Sequence, residues 1–179
     1  MTVLVDEAIW PWRGVRWAHL VSDVSVAELH DFADRLGLRR MSFQGDHYDV
    51  PETVRAEALA LGAEAVQGRD LVRRLRGAGL RLASGERPGS WEEVARWEGD
   101  GSLPDVGGVI PDLLAGAFQM VVADWGTAVT VAFRRREESA LVVEDHAGVS
   151  LAGLLPGGVE SRHRGDRMVE LLAMDGAGR

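Results

Sequence analysis

The sequence contains no cysteine, no lysine and no asparagine, and isoleucine occurs only twice among its 179 residues. The absence of cysteine excludes disulfide bonds, thiolate metal ligands and cysteine nucleophiles. Because lysine, asparagine and isoleucine all have AT-rich codons, their joint scarcity indicates a GC-rich bacterial genome. It is weaker evidence for selection of arginine as a bidentate phosphate ligand.

Long apolar runs are also missing. No stretch approaches the ~18–20 uninterrupted apolar residues of a membrane-spanning helix. The first ten residues carry Asp6 and Glu7 but no basic residue, unlike a secretory signal. Together with the lack of cysteine, these features predict a soluble, cytoplasmic protein that has no membrane partner.

The remaining composition is that of a globular protein. The hydrophobic fraction of 46% is enough for a sizeable core. A net charge of −8 and a pI of 5.1 argue against non-specific nucleic-acid binding. The charge is uneven, at −1 over residues 1–83 and −7 over residues 84–179. The acidic second part is compatible with a protein partner or a homo-oligomer. A third possible function, that of a protein-interaction module, is supported by this charge alone.

A short polar segment with glycine and proline, residues 84–90, separates the two parts and predicts a linker. We therefore expect an N-terminal domain over residues 1–83 and a C-terminal domain over residues 91–179.

Strand-like and helix-like segments alternate in the N-terminal domain. Apolar runs predict strands at 2–5, 40–43 and 63–66, and amphipathic patterns predict helices at 25–36, 49–60 and 69–76. Ser25 and Glu28 have the spacing of a capping box at the start of the first helix. The alternation predicts a small three-layer α/β domain with a short, mainly parallel sheet, in which ligands bind at the carboxyl ends of the strands.

The C-terminal domain has a different pattern. Helices are predicted at 91–97, 110–115 and 169–174, and strands at 118–123, 128–134 and 140–144. This order indicates an α+β fold with antiparallel strands. Its paired glycines have neither the spacing of a phosphate loop nor that of a dinucleotide fingerprint.

Several motifs of the first half carry a family likeness. They are Thr2-Val3-x-Val5-Asp6, Trp10-Pro11-Trp12, Arg16-Trp17-Ala18-His19-Leu20, Leu29-His30-x-Phe32-Ala33, and Phe43-Gln44 followed by His47-Tyr48-Asp49. On these motifs, about residues 1–80 resemble an uncharacterised bacterial family, the domain of unknown function 4031. The resemblance implies membership but no activity, and residues 84–179 carry no such likeness.

Histidines and aspartates of the first half suggest a metal site. Neutral imidazole and carboxylate are the ligands expected for Mn, Fe, Ni or Zn. We expect Asp6, His19 and His47 to hold a divalent metal, Mn, Ni or Zn, with His47 and Asp49 as the catalytic pair. Arg13 would bind substrate phosphate through paired hydrogen bonds, together with Arg16. This combination predicts a metal-dependent hydrolase acting on a phosphate-containing substrate.

Plainer interpretations compete with each of these roles. Asp49 has the spacing of a helix N-cap before Pro51. Asp6 is equally suited to accept loop amides, and His30 to pair with Asp34 on a helix surface. No HxH or HExxH spacing is present to decide between them.

A second constellation consists of Trp10, Trp12 and Trp17 with Arg13 and Arg16, to which we add Tyr48 as a substrate-binding residue. Indole and guanidinium planes can stack a base and hold a phosphate. The alternative function is therefore a non-catalytic nucleotide or nucleic-acid binding module. At least one of these tryptophans is expected to fill the core beneath the loop instead.

Five further arginines lie at or just beyond the last predicted helix of the N-terminal domain, namely Arg69, Arg73, Arg74, Arg76 and Arg81. Arginine is favoured near helix C-termini, and Asp70 has the spacing to pair with Arg73 or Arg74. We therefore interpret this series as a solvated helix face.

Overall fold

The computed structural model describes residues 2–145, 147–165 and 167–174. The chain divides into two compact units, Met1–Arg87 and Pro88–Arg179, and this division falls inside the glycine- and proline-bearing segment 84–90. Among the described residues, no helix is both long enough and apolar enough to cross a membrane.

The first unit contains five strands and three α-helices. The strands are β1 (Val3–Val5), β2 (Trp10–Trp12), β3 (Val15–Ser22), β4 (Tyr48–Pro51) and β5 (Glu64–Ala65). The helices are α1 (Val26–Arg35), α2 (Glu52–Ala60) and α3 (Gly68–Gly77). Short 3₁₀ turns occupy Arg40–Ser42 and Ser84–Glu86.

The five strands form a mixed sheet, so the expectation of a mainly parallel sheet was wrong. Strand β3 pairs antiparallel with β1, β2 and β4, and only β1 and β5 run parallel. For β2 and β3, the physical reason is the tight connection at Arg13-Gly14. Both residues have positive φ, 52° and 77°, as a two-residue hairpin turn requires, and a hairpin joins antiparallel strands.

Other local predictions for the first unit also need correction. The segment predicted as a strand at 40–43 forms a 3₁₀ turn over Arg40–Ser42, where the Ser42 hydroxyl donates to the Arg39 carbonyl at 2.6 Å, and only Phe43 makes a β-bridge, with Tyr48. Helix α2 begins at Glu52 with Pro51 as its N-cap, so Asp49 lies in β4 and does not cap the helix.

Helix α1 begins as its cap predicts, but only half of the capping box forms. Ser25 Oγ accepts the backbone N–H of Glu28 at 3.1 Å. The Glu28 carboxylate does not return to Ser25 but accepts from the backbone N–H of Thr2, at 3.1 Å, and from the Ser22 hydroxyl. Glu28 therefore ties the helix to the first and third strands.

Helices cover both faces of the sheet, which gives the three layers. On one face, alternate strand residues including Val5 and Leu20 pack against α1 and α2. On the other face, Leu4 and Val21 pack against Leu71 and Leu75 of α3. The α3 face is the one that carries the candidate site.

The second unit is an antiparallel α+β structure. Its one α-helix among the described residues is α4 (Asp112–Phe118). Its strands are β6 (Glu92–Trp97), β7 (Val121–Ala123), β8 (Val129–Arg135), β9 (Glu138–Glu144), β10 (Val149–Leu151), β11 (Val159–His163) and β12 (Met168–Met174). Five of them form a sheet in the order β11-β12-β9-β8-β6, and β10 pairs with β7.

Two segments predicted as helices in this unit, 91–97 and 169–174, are strands β6 and β12. Strand β12 lies between β9 and β11 and is almost wholly buried, and a short, continuous apolar run does not distinguish a buried strand from a helix. Strand β6 is rich in helix-forming residues, but pairing with β8 overrides that preference.

Candidate metal centre

Pairing of β3 with β4 brings the first two residues of the site together. His19 of β3 lies directly opposite Asp49 of β4, and directly opposed residues share a face of the sheet. His47 immediately precedes β4, and its ring centroid lies 5.3 Å from that of His19. We refer to His19, His47 and Asp49 as the metal centre.

Each histidine is held by a second carboxylate. Asp6, just after β1, accepts the His19 backbone N–H at 2.6 Å and faces His19 Nδ1 at 2.8 Å. Asp46 faces His47 Nδ1 at 2.5 Å. Because a carboxylate only accepts hydrogen bonds, both Nδ1 atoms carry the proton, and the two Nε2 atoms are turned toward Asp49.

The three side chains of the metal centre converge. Asp49 Oδ1 lies 3.5 Å from His47 Nε2 and 3.8 Å from His19 Nε2. One ligand atom from each residue lies within 4.8 Å of the other two. Protein ligands sit ~2.0–2.2 Å from a zinc-like ion, so two ligands of one ion are at most ~4.4 Å apart. Both separations from Asp49 are below that limit, so Asp49 can share one divalent ion with either histidine.

The carboxylate behind His47 is itself anchored. Asp46 is fully buried at its side chain, and its Oδ2 accepts from Arg81 at 3.0 Å and from the backbone N–H of Leu82 at 3.0 Å. On the other side of the site, Arg55 donates to the Asp6 backbone carbonyl at 2.5 Å. Contacts from distant parts of the chain therefore fix both histidine–carboxylate pairs.

Burial and hydrogen bonding act in opposite directions on these groups. Burial lowers the pKa of His47, but hydrogen bonds to Asp46 and Asp49 outweigh it and raise the pKa above its usual 6.5. Burial raises the pKa of Asp46 and of Asp49, but hydrogen bonding to His47 and nearby positive charge bring both below the usual 3.8. Without metal, the centre therefore favours an imidazolium at His47 between ionised carboxylates.

This arrangement predicts opposite pH dependences with and without metal. In chelator-treated protein the folded state binds the His47 proton more tightly than the unfolded chain does, so protonation of His47 stabilises the fold. This contribution to stability is fully present below pH 6.5 and is lost as the pH rises through the raised pKa of His47. The contribution of Asp46 and Asp49 is present above their unfolded pKa and lost only in acid. With saturating Mn²⁺ the trend should reverse, because metal competes with the proton for His47.

Thermal unfolding at pH about 6 and about 8 checks this prediction. As the pH is raised from about 6 to about 8, the unfolding temperature of chelated protein should decrease, and that of Mn²⁺-loaded protein should increase. His47→Gln, which cannot take up the proton, should flatten the first trend. Parallel curves with and without metal would contradict the prediction.

Three tryptophans form an aromatic pocket beside the metal centre. It has a volume of about 320 Å³ and is lined by Trp10, Trp12 and Trp17 together with His19 and Asp49. Trp12 and Trp17 meet edge to face at 5.3 Å, and Trp10 lies 6.1 Å from His19. Trp10 and Trp12 are each 55% exposed, so they do not fill the core.

A larger cavity of about 640 Å³ is lined by His19 and His47 of the metal centre. Four arginines line it, namely Arg69, Arg76, Arg81 and Arg87. The sequence interpretation as a solvated helix face did not foresee this. The available signal was the spacing of Arg69, Val72 and Arg76, which places all three on one side of α3. We refer to this space as the arginine cavity.

The structure gives several sequence-predicted residues different places. Asp6 is not directed at the centre as a ligand, because both of its carboxylate oxygens contact His19, and Asp49 takes its position. Tyr48 is 1% exposed and its hydroxyl contacts His30 Nδ1 at 2.9 Å, so it lies in the core and not in a binding pocket. His30, which the sequence places on a helix surface, is itself buried at 8% exposure.

The two arginines predicted to bind phosphate do not line the arginine cavity. Arg16 alternates with Trp17 and His19 along β3 and therefore lies on the opposite face of the sheet. Arg13, at the hairpin turn, lies 4.5 Å above the Trp12 ring. Sequence reasoning also did not assign a role to Asp46 or Arg87. Asp46 carries a signal in its adjacency to His47, whereas only the fold brings Arg87 to the cavity.

Comparison with known proteins concerns the first unit. No curated protein and no solved structure gave a significant match to the chain. Residues 3–78 match the model of a family described as "Protein of unknown function (DUF4031)", so the resemblance carried by the tryptophan and histidine motifs of the first half is confirmed over those residues.

Proposed function

We propose that the first unit is a metal-dependent hydrolase acting on a phosphate-containing substrate, in which His19, His47 and Asp49 hold a divalent Mn, Ni or Zn ion. The observation that carries the proposal is the pairing of each histidine with a carboxylate at Nδ1, Asp6 for His19 and Asp46 for His47. Metal-ligating histidines almost always have such a partner, which sets the tautomer and raises the basicity of the other nitrogen.

The proposed chemistry follows from the groups around the centre. A bound divalent ion would lower the pKa of a coordinated water toward ~7 and so supply a nucleophile at neutral pH. Asp49 is about half exposed at its side chain, which leaves the centre open to substrate from one side. Arginines of the arginine cavity, Arg81 among them, would bind phosphate oxygens through charge-assisted hydrogen bonds. As the cysteine-free sequence suggests, we place this activity in the cytoplasm.

Thermal unfolding of chelator-stripped protein with added Mn²⁺, Ni²⁺ or Zn²⁺ tests the metal site. A ligand that binds only the folded state adds ~2.7 kcal/mol at a hundredfold excess over its dissociation constant, which raises the midpoint by several degrees. Metal-dependent hydrolysis of bis(p-nitrophenyl) phosphate then tests the reaction. If none of the three ions raises the midpoint, the metal-dependent hydrolase is excluded.

The second candidate is a nucleotide or nucleic-acid binding module without catalysis. It is favoured by the exposed Trp10 and Trp12 and by the stacking of Arg13 on Trp12 in a rigid hairpin. In that case Trp12→Ala should remove ligand affinity, whereas chelation and Asp49→Ala should leave it unchanged. Metal-dependent turnover excludes this alternative.

A further inference from the structure

The metal centre lies between two spaces of different chemistry. Trp10 and His19 line both the aromatic pocket and the arginine cavity, so the two spaces meet at the centre. A ligand that crosses the centre therefore has indole rings at one end and guanidinium groups at the other. Indoles offer stacking surface to a base, and guanidinium groups offer paired donors to phosphate.

Arg81 of the arginine cavity is paired with Asp46, but part of the cavity's positive charge is not balanced by a neighbouring acid. Arg73 and Arg74 of α3 do not line the cavity and are paired with acids, Arg73 with Asp70 and Arg74 with Asp23 and Glu64. By contrast, the guanidinium groups of Arg69 and Arg76 form no hydrogen bond or ion pair with any residue that the structure describes. Two unpaired cations beside an ion site favour an anionic ligand.

The arginine-lined space also extends away from the centre. A second cavity of about 440 Å³ shares Arg76, Arg81 and Arg87 with the first. Such a series can accommodate more than one phosphate group. The space next to the tryptophans holds no such series, so phosphates are expected on one side of the centre and the base on the other.

We propose that the substrate is a nucleotide carrying at least two phosphate groups, cleaved at the phosphate nearest its nucleoside. This inference rests on the hydrolase proposed above. With the base on the tryptophans and Trp10 only 6.1 Å from His19, the first phosphate reaches the metal centre and the outer phosphates enter the arginine cavity.

The reaction balances with water as the only co-reactant. The water oxygen forms a bond with the first phosphorus, and the bond from that phosphorus to the bridging oxygen breaks. The leaving phosphate takes up one proton, and the second water proton is released. Adenosine diphosphate would yield adenosine monophosphate and phosphate.

Two matched probes test recognition of the nucleoside. They are α,β-methylene-ADP and methylenediphosphonate, which share the phosphonate chain and differ by the nucleoside. On Mn²⁺-loaded protein, the first should bind at least fivefold more tightly, the ratio that a stacking contact of ~1 kcal/mol corresponds to. Trp12→Ala should reduce this ratio toward one, and Trp12→Phe should restore most of it. Equal affinities in the unmodified protein would overturn the inference.

Arginine variants test the phosphate side. Arg69→Gln and Arg76→Gln should each weaken α,β-methylene-ADP binding about tenfold, because each removes a charge-assisted hydrogen bond. Arg73→Gln is the matched control on the same helix, since its side chain is 75% exposed and pairs with Asp70 outside the cavity. Equal losses of affinity in all three variants would indicate a general electrostatic attraction between the helix and the ligand, and would overturn the assigned phosphate site.

Turnover of adenosine diphosphate in ¹⁸O-water tests the bond that breaks. The label should appear in adenosine monophosphate, and label in the released phosphate would overturn the proposed position of attack. If a single-stranded oligonucleotide binds more tightly than α,β-methylene-ADP, the ligand is nucleic acid and the proposed nucleotide substrate is overturned. Mn²⁺ binding in calorimetry without any nucleotide preference defeats this inference alone, whereas absence of Mn²⁺ binding defeats the hydrolase itself.

Discussion

Asp49→Ala is expected to abolish the Mn²⁺-induced rise in the unfolding temperature of the protein. Asp49 supplies the only carboxylate of the metal centre, and it contacts both histidines through one oxygen atom. Removal of a ligand should lower metal affinity at least as much as removal of an outer partner, which costs ~10–100-fold. At a Mn²⁺ concentration that gives the unmodified protein ~2.7 kcal/mol, a hundredfold loss of affinity would leave only ~0.4 kcal/mol of that stabilisation.

The fold itself should tolerate this change. The Asp49 side chain is 47% exposed, and ion pairs of exposed groups contribute only ~0–1 kcal/mol. Unfolding of chelated Asp49→Ala should therefore resemble that of the unmodified protein, which makes it a better test than replacement of the buried His47. Asp31→Ala, an exposed aspartate of α1, is the matched control and should keep the full response to Mn²⁺. A full response in Asp49→Ala would show that the centre is not the metal site.

Asp6→Asn is expected to weaken metal binding ~10–100-fold through His19, although Asp6 itself holds no metal. In the unmodified protein the carboxylate requires a proton on His19 Nδ1 and leaves Nε2 free to coordinate. The side-chain oxygen of an asparagine can still accept the hydrogen bond from the backbone N–H of His19, and its NH₂ group can then donate to His19 Nδ1. That arrangement places the imidazole proton on Nε2, and a protonated nitrogen cannot coordinate a metal.

Two measurements distinguish this positioning role from a structural one. Calorimetric titration with Mn²⁺ gives the loss of affinity, and the ¹⁵N chemical shifts of His19 in chelated protein report which ring nitrogen carries the proton. The Nδ1–H form should dominate in the unmodified protein and the Nε2–H form in Asp6→Asn. Asp6→Ala, which removes the partner without imposing a tautomer, should cost less affinity than Asp6→Asn. An unchanged tautomer combined with unchanged affinity would refute the role.

Local sequence patterns were sufficient for the helices of the first unit. The stripe of apolar residues after Ser25 predicted α1, and glycines at positions 37, 62 and 79 follow the three helices with the positive φ that a helix end favours. The three-layer arrangement also follows from these helices, because each has an apolar face that must be covered. The mixed sheet did not follow, because strand direction depends on which segments pair across long sequence separations.

The parts of the site divide in the same way. Its residue types were evident from the sequence, since three histidines lie among several aspartates in the first 49 residues. Their roles were not evident. The sequence prediction made Asp6 a ligand and Asp49 a catalytic residue, but Asp6 contacts His19 Nδ1, whereas strand pairing turns Asp49 toward both Nε2 atoms. Neither contact has a signature in local spacing.

The arginines show most clearly that local sequence does not decide which residues reach the site. Chemistry alone favoured Arg13 and Arg16, which adjoin the tryptophans in sequence, but alternation along β3 carries Arg16 to the opposite face. Packing of Leu71 and Leu75 on the sheet turns Arg69 and Arg76 toward the centre instead. The sequence by itself thus determined the helices of the first unit and the residue types of the site. Only the tertiary structure decided which charged side chains lie close together. The physical reason is that burial of its apolar face sets the orientation of each helix or strand, and this orientation places the charged side chains on its other faces.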